Sequence, residues 1–189
     1  MFQESAMFKE TVYHGTLKHK ANRIQREGFM QSEKETEWLG TGIYFFAQRK
    51  DAEVWANREV RKGKNQGSSP ALLEAVISCE DDKFFDLDIS ANMEQLVSAV
   101  KPYLINGNNG HAVIDGPDAK LKLRCLACNF YKKLHGIQVL AYSFPRIKNN
   151  DIGFPVCVSQ RQYAVNTNKN IIELRELAIG GKQHEKSGS

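Results

Sequence analysis

The sequence predicts an α+β fold built as one domain. Short apolar segments typical of strands are interrupted by segments of helical spacing, without the regular strand–helix–strand rhythm of a parallel sheet. The chain has 189 residues, of which 41% are hydrophobic, and this is enough to bury one sizeable core. We therefore expect one domain over residues 1–179, followed by a disordered polar tail over residues 180–189.

The first half of the chain is predicted to contain four strands and two helices. Leu17, Ala21 and Ile24 recur at helical spacing, and Gly28 is typical of a helix end. The Gly- and Ser-rich residues 62–70 predict a loop. In chain order, the predicted elements are a strand over 11–14, a helix over 17–27, a strand over 40–46, a helix over 47–61 and strands over 71–79 and 84–88.

The second half is predicted to mix helices and strands in the same irregular way. Ser90 is a suitable N-cap residue, and the Asn- and Gly-rich residues 106–110 predict a loop. The predicted elements are a helix over 90–104, a short strand over 112–116, a helix over 118–134 and strands over 137–144 and 155–165. Residues 171–177 fit either a final strand or a short helix.

Charge, hydropathy and cysteine content narrow the class of protein. The net charge of +4 is modest, and no uninterrupted apolar stretch approaches the length of a membrane span. The first residues also lack the pattern of a secretion leader, so we expect a cytoplasmic protein with no membrane partner. Cys125 and Cys128 form a CxxC without a second ligand pair at zinc spacing. We interpret them as buried, reduced helix residues and expect no metal.

Two short segments have the character of a binding site. They are Val12-Tyr13-His14-Gly15-Thr16 and Leu39-Gly40-Thr41-Gly42-Ile43-Tyr44-Phe45. In the first, the strand turns at a glycine, so His14 would stand at a strand end beside backbone groups of Gly15 that could clamp a primary carboxamide. In the second, two glycines allow a tight turn before a strand whose Tyr44 could stack on a planar ring. Together the segments indicate an enzyme that acts on NAD⁺.

A helix with Ala52, Trp55 and Ala56 on one face follows the second segment, and we expect Trp55 to point inward. Over about residues 11–58, these features resemble the NAD⁺-binding half of ADP-ribosyltransferases of the diphtheria-toxin and poly(ADP-ribose) polymerase type. The resemblance implies two packed β-sheets that form an NAD⁺ cleft, with helices outside.

The same resemblance implies roles for the residues of the two segments. It implies that His14 binds the ribose on the nicotinamide side, and that Gly15, with Thr16 beside it, holds the carboxamide. It also implies that Tyr44 and Trp55 bracket the nicotinamide ring, which suits a pyridinium cation because aromatic faces attract positive charge. In the family the position of Trp55 is usually a tyrosine, so this match is one of residue type.

The third catalytic element of that family is a polar residue on a later strand, most often Glu, and here it corresponds to Gln162. The pair Gln160 and Gln162 lies on one face of the predicted strand 155–165. A carboxylate stabilises the positive charge that develops at the anomeric carbon better than an amide does. Three interpretations stay open: a natural His-Tyr-Gln variant, a catalytically weak or NAD⁺-binding protein, or an engineered Glu→Gln change.

From the resemblance we expect an ADP-ribosyltransferase that cleaves the nicotinamide–ribose bond and transfers ADP-ribose to a macromolecule, either protein or nucleic acid. The catalytic residues would be His14, Tyr44 and Gln162. Small members of this kind are often intracellular toxins or phage-defence effectors, so an antitoxin partner is also expected. The alternatives are an NAD⁺ glycohydrolase and an NAD⁺-binding module without turnover.

Several other polar residues are weaker candidates. Arg23, Arg49 and Arg58 could hold the NAD⁺ diphosphate, although arginines on helices are usually solvated. His111 could contact a substrate, but a plain loop residue is the simpler interpretation.

Overall fold

A computed structural model of the chain describes residues 6–65, 67–105, 116–149 and 155–179. Within these residues the fold is α+β, with four helices and one mixed sheet of seven strands. The helices are α1 (Lys18–Glu27), α2 (Arg49–Val60), α3 (Ser90–Ile105) and α4 (Ala119–His135). The strands are β1 (Met7–Leu17), β2 (Ile43–Phe46), β3 (Pro70–Glu80), β4 (Phe84–Asp86), β5 (Val139–Asn149), β6 (Pro155–Val165) and β7 (Ile171–Leu177).

The strands lie in the order β4-β5-β6-β2-β1-β3-β7, and every neighbouring pair is antiparallel except β4 with β5. The resemblance implies two packed sheets, whereas the described residues form a single sheet. Its weakest joint is between β1 and β2, whose register consists of the one pair Tyr13↔Phe46. By contrast, β1 pairs with β3 from Met7↔Glu80 to Leu17↔Pro70.

The two faces of the sheet bury different cores. Val12, Phe45 and Tyr163 face α1, whose Ala21 and Ile24 belong to the same apolar cluster. The residues next to these on the same strands point to the other face, because successive side chains of a strand alternate between the two faces. That second face is covered by α2 over β1 and β3, and by α3 and α4 over β5 and β6.

Most predicted elements are present with shifted ends. β1 is longer than the predicted 11–14 because its whole length pairs with β3, so His14 lies within the strand and not at its end as predicted. β2 is shorter than 40–46 because Gly40 and Gly42 form only isolated bridges, on either side of a bend at Thr41. Residues 171–177 form a strand, which decides between the two predicted alternatives. The predicted loop 106–110, the body of the predicted strand 112–116 with His111, and the tail 180–189 lie outside the described residues.

None of the helices in the described part of the chain is both long and apolar enough to cross a bilayer.

Gly15 allows α2 to lie directly on β1. A Cβ atom at this position would stand 1.9 Å from the backbone oxygen of Ala52 and 3.0 Å from the backbone nitrogen of Ala56. Both atoms belong to the helix backbone, which cannot turn away as a flexible side chain can. The glycine therefore sets the distance between the helix and the strand.

We predict that Gly15→Ala lowers the free energy of unfolding by about 1–3 kcal/mol, because the added methyl group forces α2 away from β1. Urea unfolding followed by circular dichroism measures the change. Gly63→Ala is the matched control, since a Cβ there meets nothing within 4 Å. Equal midpoints for the two variants would show that the contact between α2 and β1 is not as close as described.

Candidate functional site

The candidate site lies at the joint between β1 and β2, where the two sequence segments meet. Nδ1 of His14 is 2.8 Å from the backbone oxygen of Tyr44, so the imidazole N–H donates to that carbonyl and bridges the two strands. The imidazole ring also meets the rings of Phe29 and Phe45 edge-on, at centroid distances of 5.2 and 5.9 Å. These contacts fix the orientation of His14 on the α1 face of the sheet.

The environment of His14 favours the neutral imidazole. Burial lowers the pKa of His14, the hydrogen bond to the Tyr44 carbonyl acts in the opposite direction, and the positive charge of Lys20 lowers it further. Because Nδ1–H is committed to the carbonyl, the neutral ring presents Nε2 with its lone pair. Such a nitrogen can accept a hydrogen bond from a hydroxyl group.

The backbone of Gly15 faces the space between β1 and β2. Lys18 donates its N–H to the carbonyl of Ser69 at 2.8 Å, so the backbone groups of Lys18 face β3. Along an antiparallel ladder, residues whose backbone groups face the partner alternate with residues whose groups face away. Gly15 is three positions from Lys18, so it makes no ladder bond to Leu72 opposite it and directs its N–H and C=O toward β2. The β1–β2 register does not extend beyond Tyr13↔Phe46, so these groups face a part of β2 with which β1 has no register pair.

The side chain of Tyr44 lies on the opposite face from His14. Its ring packs in the core under α3 and α4, its hydroxyl donates to the Gly40 carbonyl at 2.6 Å, and the Leu39 N–H donates to that hydroxyl at 2.8 Å. Burial raises the pKa of Tyr44 above its usual range. The phenol is thus neutral and closes the turn before β2.

Helix α4 holds the same turn from the other side. Oδ1 of Asn129 accepts hydrogen bonds from the Thr41 N–H at 2.7 Å and from the Thr41 hydroxyl at 3.1 Å, and the ammonium of Lys132 donates to the Thr41 carbonyl. Lys132 is buried, and burial lowers its pKa to about 8. Gly40 adopts a φ of 78°, and a Cβ there would stand 2.2 Å from Oδ1 of Asn129.

Sequence analysis missed Asn129 and Lys132. The available signal was their position on α4, because both lie within one turn of the buried residue Cys128. A polar residue beside a buried stripe needs hydrogen-bond partners, and here the turn before β2 provides them.

Trp55 does not point inward as predicted. Its side chain is 40% exposed, its ring centroid lies 6.1 Å from that of Phe46, and Nζ of Lys62 stands 5.9 Å from the ring centroid. The inward residues of α2 are Ala52 and Ala56, which pack against the sheet. Only small residues fit on the inner face of α2, because Gly15 lets the helix lie close to β1.

Gln162 is buried on the face that carries Tyr44. It stands between Phe46 of β2 and Tyr142 of β5, and its amide Nε2 lies 3.3 Å from Oε1 of Gln160. The neighbouring Arg161 points to the other face, where its guanidinium binds Asp86 and Asp88. This ion-paired cluster joins β4 to β6 and was not predicted from sequence.

The structure therefore brings the predicted site residues together only in part. His14 and Tyr44 are joined through a backbone carbonyl, and Phe46 lies between Trp55 and Gln162. The side chain of His14 is on one face, and those of Tyr44 and Gln162 are on the other. Two cavities, of about 680 and 600 Å³, are lined by other residues, the second of them mainly by amide side chains and lysines.

The cysteine pair is buried in α4, as predicted. Cys125 and Cys128 are both reduced. Burial raises the pKa of Cys128 to about 11, so its thiol stays protonated at neutral pH and is a poor nucleophile. Within the part of the chain that the structure describes, no three His, Cys, Asp or Glu side chains are grouped so that they could hold a metal ion.

Comparison with known proteins gives one relative of unassigned function. An uncharacterized protein of Methanocaldococcus jannaschii is 31% identical over 78 residues, which are 41% of this chain and 36% of the archaeal protein. The chain thus matches little more than a third of that relative's length. No protein-family model matches the chain, and no solved structure is significantly similar to it.

Proposed function

We propose that the chain is an NAD⁺-dependent ADP-ribosyltransferase that breaks the nicotinamide–ribose bond and passes ADP-ribose to a macromolecule. The observation that carries the proposal is the contact between His14 Nδ1 and the Tyr44 carbonyl. It joins His14 and Tyr44, 30 residues apart in the sequence, on neighbouring strands next to the point where the β1–β2 register ends.

In the proposal, the cofactor binds where the β1–β2 register ends and contacts residues of both faces of the sheet. Nicotinamide bound there would place its carboxamide against the N–H and C=O of Gly15, which are directed toward β2. The ribose would lie toward Nε2 of His14, which can accept a hydrogen bond from a hydroxyl group. In the proposal, Tyr44 and Gln162 contact NAD⁺ from the opposite face of the sheet, and Trp55 contacts it from the exposed side of α2.

The proposed reaction needs stabilisation of positive charge at the anomeric carbon. Nicotinamide leaves with the electrons of the C–N bond, and an acceptor nucleophile forms the new bond to that carbon and loses a proton. Gln162 provides a neutral amide dipole where related enzymes often use a carboxylate. This weakness supports, as a second candidate, an NAD⁺-binding module that turns over slowly or not at all.

The proposed partners follow from the resemblance and from the surface charge. The acceptor is a protein or a nucleic acid, and the basic residues Arg58, Arg61, Lys62 and Lys64 at the end of α2 would favour a phosphate-bearing one. A cytoplasmic location and a neutralising antitoxin belong to the same proposal.

Incubation with labelled NAD⁺ and separate pools of protein, RNA and DNA tests the proposed transfer directly. Label retained on one pool supports transfer, whereas free ADP-ribose alone indicates a glycohydrolase. Absence of nicotinamide release contradicts both activities.

We predict that Gln162→Glu increases nicotinamide release from NAD⁺ by about tenfold to a hundredfold, because a carboxylate stabilises an oxocarbenium-like transition state by a few kcal/mol more than an amide does. Gln160→Glu is the matched control, because Gln160 is also buried and lies on the same face of β6. Equal rates in the wild-type chain and Gln162→Glu would remove position 162 from the catalytic site.

We also predict that His14→Asn lowers kcat/KM for NAD⁺ at least about tenfold while the chain stays folded. The Asn amide can still donate to the Tyr44 carbonyl, but it lacks the Nε2 acceptor. Retention of full activity by this variant would exclude His14 from NAD⁺ binding.

The wild-type pH profile provides an independent test of His14. Because burial lowers its pKa, the imidazole stays neutral as pH falls to 6.5, and activity decreases only below that value. The stability that His14 contributes decreases over the same range, since the unfolded chain takes up the proton first. His14→Asn should reduce this acid dependence of unfolding. An unchanged dependence would show that His14 is not the group that titrates.

A further inference from the structure

The larger cavity belongs to neither the joint between β1 and β2 nor the proposed NAD⁺ site. It has a volume of about 680 Å³ and lies between α3, α4 and the face of the sheet that carries Tyr142. Its wall is formed mainly by apolar side chains, among them Leu39, Leu87, Met93, Leu96, Val97 and Val100. The volume falls within the range of small-molecule sites, about 300–1,000 Å³.

Three cations line this apolar space. They are Lys101, Lys120 and Arg124, and no Asp or Glu of the described residues lines the cavity with them. In the described part of the chain, none of the three forms an ion pair with a carboxylate. Lys122 on the same helix, by contrast, pairs with Glu35 at 3.2 Å and does not line the cavity.

Arg124 is held in place by aromatic rings. Its guanidinium carbon lies 5.6 Å from the ring centroid of Trp38 and 5.5 Å from that of Phe144. Its Nε is buried and has no hydrogen-bond partner among the described residues. An unsatisfied buried donor on a charged group is costly, and an anionic oxygen from a ligand would relieve that cost.

The exposed rim of the cavity carries both apolar side chains and cations. Val97 on α3 and Leu123 on α4 line the cavity and are 50% and 39% exposed, and the lining residues Lys101 and Lys120 are exposed as well. An entering molecule thus meets apolar side chains and positive charge together. This combination matches a ligand with a hydrocarbon chain and one anionic head.

We propose that the cavity binds a long-chain carboxylate, with its chain between α3 and α4 and its head on Arg124. The carboxylate would accept hydrogen bonds from the guanidinium, with Lys101 and Lys120 adding positive potential. This site is separate from the proposed NAD⁺ site, and the proposal does not depend on NAD⁺ turnover.

Calorimetric titration of the full chain with dodecanoate, kept below its micellar concentration, tests the proposal. We expect saturable binding, and affinity that rises about fourfold for each methylene from octanoate to dodecanoate, since each buried methylene contributes about 0.8 kcal/mol. Dodecanol, with the same chain and no charge, should bind at least about tenfold more weakly than dodecanoate. Equal affinities for the two compounds would overturn the assigned role of Arg124, and no saturable binding up to about 1 mM dodecanoate would overturn the site itself.

Two variants locate the head group. Arg124→Leu should weaken dodecanoate binding by about tenfold to a hundredfold, and Lys122→Leu, the matched control on the same helix, should bind as the wild-type chain does. Equal losses in the two variants would contradict the proposal. Ala127→Phe places a bulky ring in the cavity and should abolish binding with circular dichroism unchanged. If either cavity variant fails to fold, the comparison of dodecanoate with dodecanol on the wild-type chain still decides the outcome.

Discussion

The connection between β1 and β2 is the interaction on which the rest of the structure depends. On either side of it, strands pair over long ladders, as β1 does with β3 and β5 with β6. The two halves of the sheet meet through one register pair, Tyr13↔Phe46, and through the hydrogen bond from His14 Nδ1 to the Tyr44 carbonyl. The side chain of His14 thus links β1 to β2 beyond their last backbone pair. A ladder hydrogen bond needs two backbones at strand spacing, whereas the His14 imidazole can reach a carbonyl where the backbone register has ended.

This joint also determines which groups reach the proposed NAD⁺ site. Side chains alternate along each strand, so His14 and Phe45 share one face, while Tyr44, Phe46 and Gln162 share the other. A flat, fully paired sheet would keep the two sets apart. The proposed common ligand relies on the end of the β1–β2 register at Tyr13, beyond which the two strands have no register pair. The backbone groups of Gly15, directed toward β2, lie at the same opening.

Helix α4 connects this joint to the remainder of the domain through buried polar groups. Asn129 and Lys132 bind the backbone of Thr41, and the Tyr44 hydroxyl binds the backbone of residues 39 and 40, so the turn before β2 is held from two directions. Such satisfied contacts specify a single geometry, since each lost partner would leave a buried polar group unpaired. The same helix presents Arg124 to the apolar cavity, where no carboxylate of the described residues pairs with it. One helix therefore positions the strand of the proposed catalytic site and lines a second, chemically different space.

The sequence by itself determined most of the described elements and the two segments that meet at the joint. Hydrophobic periodicity and glycine positions predicted the helices at 17–27, 47–61 and 118–134 to within a few residues, because such patterns reflect local geometry. It also placed Cys125 and Cys128 in the interior of a helix, where the structure has them.

Only the tertiary structure decided the features that depend on contacts between distant residues. The single sheet, the exposure of Trp55 and the hydrogen bonds of Asn129 and Lys132 all arise from pairings across many residues of sequence. Trp55 shows the reason most clearly: its spacing with Ala52 and Ala56 fits an inward stripe, but the missing side chain of Gly15 draws the helix so close that only alanines fit beneath it. Periodicity records which residues share a face of a helix, whereas the distance to the neighbouring strand decides which of them is covered.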